Sequence, residues 1–77
     1  MKKAIQRRLK SLGRWEVIQI GNYVIQRYSQ FYSYICYDAH TGRNLGGGSL
    51  GLISHKLKDL IKQDKRPIKQ ADFLHSL

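Results

Sequence analysis

The chain has 77 residues, room for one domain with one modest core. A hydrophobic content of 42% excludes a disordered chain, and the single cysteine, Cys36, excludes an internal disulfide. The formal net charge of +9 and a sequence pI of about 10.1 point to an anionic partner, with nucleic acid ahead of an acidic protein surface or an anionic membrane.

The charge is unevenly placed: +6 over residues 1–14, zero over 15–55 and +3 over 56–77. After Met1-Lys2-Lys3, the charges at Arg7, Arg8 and Lys10 interrupt any apolar run. Neither a signal peptide nor a membrane span is therefore expected. A free thiol in a strand fits a reducing compartment, so a cytoplasmic location is expected.

Residues 2–12 read as a helix, with the first element bounded at 1–13. At 100° per residue Ile5, Leu9 and Leu12 share one face, and Lys3, Arg7, Lys10 and Arg14 fall together on the opposite one. Gly13 suits the left-handed residue that closes a helix. Four cations a turn apart, with no acid among them, could follow a phosphate backbone. A face serving only solubility usually mixes both signs.

Residues 15–47 read as an antiparallel sheet of three or four strands. Gly21-Asn22 is a two-residue hairpin turn that needs positive φ. Counting outward pairs Ile20 with Tyr23, Ile18 with Ile25, and Glu16 with Arg27. A second tight turn at Ser29-Gln30 would pair Tyr28 with Phe31 and Ile25 with Tyr34. One face then carries Ile18, Ile20, Tyr23, Ile25, Tyr32, Tyr34 and Cys36. The other carries Trp15, Val17, Val24, Tyr28, Phe31, Ile35 and Tyr37, with Gln19, Gln26 and Ser33. Neither face is cleanly polar, so either both are covered or one presents aromatics as a contact surface. Tyrosines on a sheet can stack on nucleobases, and they are also ordinary strand formers.

Asp38 to Arg43 reads as a turn, with Gly42 at its left-handed position and a short fourth strand near Arg43 to Gly46. Gly46-Gly47-Gly48-Ser49 then opens a second helix over 50–63, with Ser49 as its N-cap. Its apolar stripe is Leu50, Ile53, Leu57, Leu60 and Ile61, and His55, Lys58 and Lys62 take the outer face. A glycine loop before a helix can cradle phosphate, which makes Gly47, Gly48 and Ser49 a candidate anion loop. The alternative is a sharp strand-to-helix crossing that only glycine permits. Pro67 ends helical structure. Residues 67–77 then form a short helical or packed tail around Ile68, Ala71, Phe73, Leu74 and Leu77.

In layout, helix, three strands and helix, the chain resembles double-stranded-RNA-binding domains, with Gly46-x-Gly48-Ser49 in the place of their glycine-rich helix entry. It departs from them where their lysine cluster would follow, since Leu50, Gly51, Leu52 and Ile53 stand there. The layout is equally similar to integrase arm-binding domains, a three-stranded sheet with one packed helix. These are likenesses of architecture and assign no function.

Cys36, His40, His55 and His75 are widely spaced, with no paired ligand motif, so neither a metal nor another cofactor is expected. No catalytic constellation stands out. The expectation is a non-enzymatic α+β domain that binds DNA or RNA through Lys3, Arg7, Lys10, Arg14, Lys58 and Lys62. It would be an accessory or regulatory protein of the kind phages and mobile elements encode. The rival is an inhibitor or adaptor that docks on an acidic surface or on the nucleic-acid groove of a nucleoprotein complex.

Overall fold

A computed structural model describes residues 1–28 and 33–73. The order is α1 (Lys2–Lys10), β1 (Val17–Ile20), β2 (Tyr23–Arg27), β3 (Ser33–Asp38), β4 (Asn44–Ser49) and α2 (Leu50–Gln63). The four strands form one antiparallel meander in the order β1-β2-β3-β4. The α+β class, the two helices and a fourth strand are thus as the sequence suggests.

The first hairpin has the expected register, with Ile18 opposite Ile25 and Ile20 opposite Tyr23. Positive φ occurs at Gly21 (59°) and not at Asn22, the pattern of a II′ turn. The second register differs. Ile25 lies opposite Cys36 rather than Tyr34, and Arg27 lies opposite Tyr34. The Tyr28 N–H donates to the Ser33 carbonyl at 2.8 Å, so the connection is longer than a two-residue turn. The expected Tyr28–Phe31 pairing and the facing of Phe31 and Tyr32 lie at or beyond the described residues. The slip is two residues, an even number, and so every described side chain of these strands keeps its face.

Alternation along the strands places Ile18, Ile20, Tyr23, Ile25, Tyr34 and Cys36 beneath the two helices. They form one core with Ile5, Leu9 and Leu12 of the N-terminal segment and Ile53 and Leu57 of α2. Leu50, Leu60 and Ile61 pack around it, so the whole expected stripe of α2 is used. Leu9 is fully buried, and Leu9→Ala should cost about 2–5 kcal/mol. The Tyr34 hydroxyl, also buried, donates to the Leu9 carbonyl at 3.1 Å. It adds a second donor to a carbonyl at the end of α1 that also accepts from the Leu12 N–H at 3.1 Å.

Helix α1 ends at Lys10, with Ser11 as C-cap in right-handed geometry (φ −78°). The left-handed residue expected at Gly13 is instead Trp15, at φ 70°. Gly13 is held by its own N–H, which donates to the Glu16 carboxylate. The Trp15 N–H donates to the Arg27 carbonyl at 2.9 Å, and the Arg27 N–H to the Glu16 carbonyl at 3.0 Å. Two residues thus oppose one, a bulge whose first position is normally glycine.

The second sheet face is half covered. Beyond α2 the chain turns under the β1–β2 hairpin and runs back across this face. Ala71 is buried with Val24 and Ala39, and Val17, Tyr37 and Phe73 pack on them. The Phe73 ring meets Tyr37 edge-on at 6.2 Å. Ile68, expected in this packing, is 76% exposed, and Leu74 and Leu77 lie outside the described residues. Pairing across this segment is by polar groups. The Gln19 side chain donates to the Lys69 carbonyl at 2.6 Å and accepts from the Ala71 N–H at 3.1 Å. The buried Asn22 side chain accepts from the Lys69 N–H at 2.9 Å and donates to the Asp64 carboxylate and the Arg66 carbonyl, both at 3.3 Å.

Candidate nucleic-acid interface

A helix favours acids in its first turn and cations in its last, because its dipole is positive at the N-terminus. Helix α1 has no acid in its first turn and instead carries Lys2 and Lys3 there. These lysines work against helix stability. Lys3, Arg7 and Lys10 are exposed on the side of α1 away from Ile5 and Leu9, with Lys2 and Arg8 also exposed. Arg14 is exposed too, but it lies past the end of the helix. Its place follows from the turn that leads into the bulge, not from helical spacing, so three of the four expected cations share a helical line. Among the described residues no carboxylate is within ion-pair distance of Lys3, Arg7, Lys10 or Arg14.

The C-terminal cations are placed differently. Arg66 pairs with both Asp38 and Asp64, at 2.9 Å each. Its guanidinium and backbone N–H hold Asp64 well below the usual carboxylate range. Burial pushes Asp38 up, but Arg66 and the N–H groups of His40 and Thr41 outweigh it, and this carboxyl too is lowered. The Lys56 ammonium donates to the Leu45 carbonyl. Two of the cations in this segment are therefore committed to the fold. Of the two expected in an interface, Lys62 is exposed and Lys58 is half-buried. His55 sits 3.5 Å from Asp59 on the outer face of α2.

The expected glycine loop is a strand. Gly48 lies opposite Tyr34, Gly47 opposite Ile35 and Gly46 opposite Cys36. Glycine is required at 47, because a Cβ there would stand 2.5 Å from the Tyr34 carbonyl oxygen. Ser49 does cap α2, its hydroxyl accepting from the Leu52 N–H at 3.4 Å. Close passage of β4 beside β3 thus accounts for Gly47, and these residues form a strand that runs into the helix rather than the expected loop.

The second sheet face ends in two aromatic side chains. Trp15 is 51% exposed and Tyr28 49%, with ring centroids 5.0 Å apart at an interplanar angle of 82°. Holding Trp15 in the left-handed region costs about 1–3 kcal/mol, which the surrounding hydrogen bonds must offset. Besides the two bonds of the bulge, the Gln26 side chain donates to the Trp15 carbonyl at 3.1 Å. The Arg27 guanidinium donates to the Leu12 carbonyl at 2.6 Å. Arg27 thereby brings the end of the cationic segment, Arg14 and the aromatic pair to one corner. Sequence reading placed both aromatics on this face without singling them out. The available signal was a Trp directly after an Arg at the helix-to-strand junction.

Cys36 is fully buried and its thiol is pushed up to about 11 by burial, against the pull of Lys56. At neutral pH it is a protonated core filler, not a thiolate. Among the described residues no three His, Cys, Asp or Glu side chains are grouped to hold a metal ion. Nor is any described helix long and apolar enough to cross a membrane. A recess of about 250 Å³ lies between the hairpin turn and the C-terminal segment, bordered by Asn22, Tyr23, Asp64 and Arg66. Its polar groups already bond one another, the Tyr23 hydroxyl donating to Asp64 at 2.9 Å. Comparison with known protein families, with curated proteins and with solved structures finds no match for this chain.

Proposed function

We propose that this protein binds nucleic acid by gripping phosphates with the cations of its first 14 residues, and that it acts as a non-enzymatic accessory or regulatory protein. The observation that carries this reading is the separation of charge roles. Asp38 and Asp64 are paired with Arg66 and Glu16 accepts from the Gly13 N–H, while Lys3, Arg7, Lys10 and Arg14 face solvent with no carboxylate within ion-pair distance. Two lysines at the wrong end of a helix dipole add to it, since they lower helix stability and need another reason to be there. Lys62 extends the cationic surface onto α2.

Binding of this kind rests on counterion release and weakens steeply with salt. The test is titration of labelled duplex DNA, duplex RNA and single strands at two salt concentrations. Submicromolar to micromolar binding at low salt that weakens at least tenfold between 50 and 200 mM salt is the expected result. No binding to any of them at low salt would refute the reading and make an acidic protein surface the partner to test.

A further inference from the structure

We infer that the Trp15–Tyr28 pair is a base-stacking platform for single-stranded nucleic acid, an assignment that rests on the proposed nucleic-acid function and narrows it. Three observations meet at this corner. The first is exposure: about half of each ring is open to solvent on a sheet face whose other half is sealed by Ala71 and Phe73. The second is placement. Trp15 holds the left-handed position of a bulge, where glycine would be unstrained, and two hydrogen bonds on its own N–H and carbonyl, with a third on Glu16, fix the backbone there. A large aromatic kept at a glycine position and left in water contributes little to the core. The third is charge. Arg14 directly precedes the pair, and the Arg27 bond to the Leu12 carbonyl brings the cationic segment to the same corner.

The chemistry selects the strand state. A base can lie on the Trp15 or Tyr28 ring only when it is not stacked between neighbours in a duplex, while cations beside the ring neutralise its phosphates. A T-shaped pair offers a ring face and a ring edge, enough for one base or two. Such stacking tolerates any base, so little sequence preference is expected. An acidic protein would also meet the cations, but it would gain nothing from a half-exposed ring face aligned with a phosphate-gripping row.

Trp15 is the only tryptophan, so its emission reports this site alone. The full chain is titrated with mixed-sequence single-stranded DNA and RNA oligonucleotides and with a matched duplex. Tryptophan emission and anisotropy are both followed for the wild type, and anisotropy for Trp15→Gly, Trp15→Phe and Tyr28→Ala. Single strands should quench Trp15 strongly. Trp15→Gly should weaken single-strand binding roughly tenfold or more, the loss expected for one stacked base, with duplex binding changed less than twofold. Trp15→Phe should restore most of the affinity. The glycine variant suits the bulge backbone, so circular dichroism should show it folded. Unquenched Trp15 at saturation, or a folded Trp15→Gly with wild-type single-strand affinity, would overturn the platform while leaving the phosphate grip standing. Absence of all nucleic-acid binding would overturn both.

Discussion

Two residues show how one side chain can carry structure that its residue type only hints at. Asn22 reads as a turn former, yet it does not adopt positive φ. Its amide ties the hairpin to Asp64, Arg66 and Lys69, at sequence separations of more than 40 residues. Asn22→Ala removes these bonds from a buried side chain and leaves the Lys69 N–H without its acceptor. It should destabilise the protein by about 1–3 kcal/mol in urea denaturation, and a loss near zero would contradict this anchoring role. The glycines give a graded series. A Cβ at Gly47 would strike the Tyr34 carbonyl oxygen, at Gly48 it would press the Leu52 side chain at 3.2 Å, and at Gly51 it would meet nothing within 4 Å. Melting temperature should therefore rise for Gly51→Ala, which replaces an exposed helical glycine and gains about 0.5–1 kcal/mol. It should fall modestly for Gly48→Ala, where the first turn of α2 must give by a few tenths of an ångström, and most for Gly47→Ala, where the obstacle is the β3 backbone.

At the scale of elements, the helices and the first hairpin are legible because their signals are local. The period of Ile5, Leu9 and Leu12, the stripe from Leu50 to Ile61, and the turn at Gly21 each specify their own neighbours. What failed depended on distant partners. Three glycines look like a loop until β3 pairs with them and, at Gly47, the Tyr34 carbonyl fills the space of a side chain. A tight turn at Ser29-Gln30 predicts the second register two residues away from the observed one, and the even slip leaves the facing of the described strand residues unchanged. The C-terminal segment carries no periodicity, since it is held by Gln19, Asn22 and the Arg66 ion pairs. That bracing has a pH signature. The folded state lowers the pKa of both Asp38 and Asp64, so it favours their charged forms. Their contribution is complete above the unfolded value of about 3.9 and is lost as pH falls through the lower native values. Wild-type stability should drop more steeply below about pH 4 than that of Arg66→Gln, as read from urea midpoints across the pH range. Parallel curves would show that the ion pairs do not brace the segment.

For the whole molecule, the arrangement divides the labour between charges. Asp38 and Asp64 are engaged by Arg66 and Glu16 by the Gly13 N–H, while Asp59 faces His55 on the surface and Asp72 is exposed. The N-terminal cations remain outside it and, with Arg14, lead to the exposed aromatic corner. Of the candidate site, the cationic row was legible because it is contiguous in sequence and free of acids. Departure of Arg14 from the row was not, because it depends on where Ser11 stops the helix. Nor was the commitment of Arg66 and Lys56, since their partners lie in other elements.

The measurement that tests the central claim most directly is the salt dependence of binding for the wild type and for a variant in which Lys3, Arg7, Lys10 and Arg14 are all glutamine. Glutamine is a good helix former and none of the four side chains is buried, so the variant should fold. Plotted as log affinity against log salt, its slope should be flatter than wild type by between three and four units on duplex DNA, or by about three on a single strand. Affinity should fall for all sequences alike. A folded variant with the wild-type slope and affinity would contradict the account, because the phosphates would then be held elsewhere.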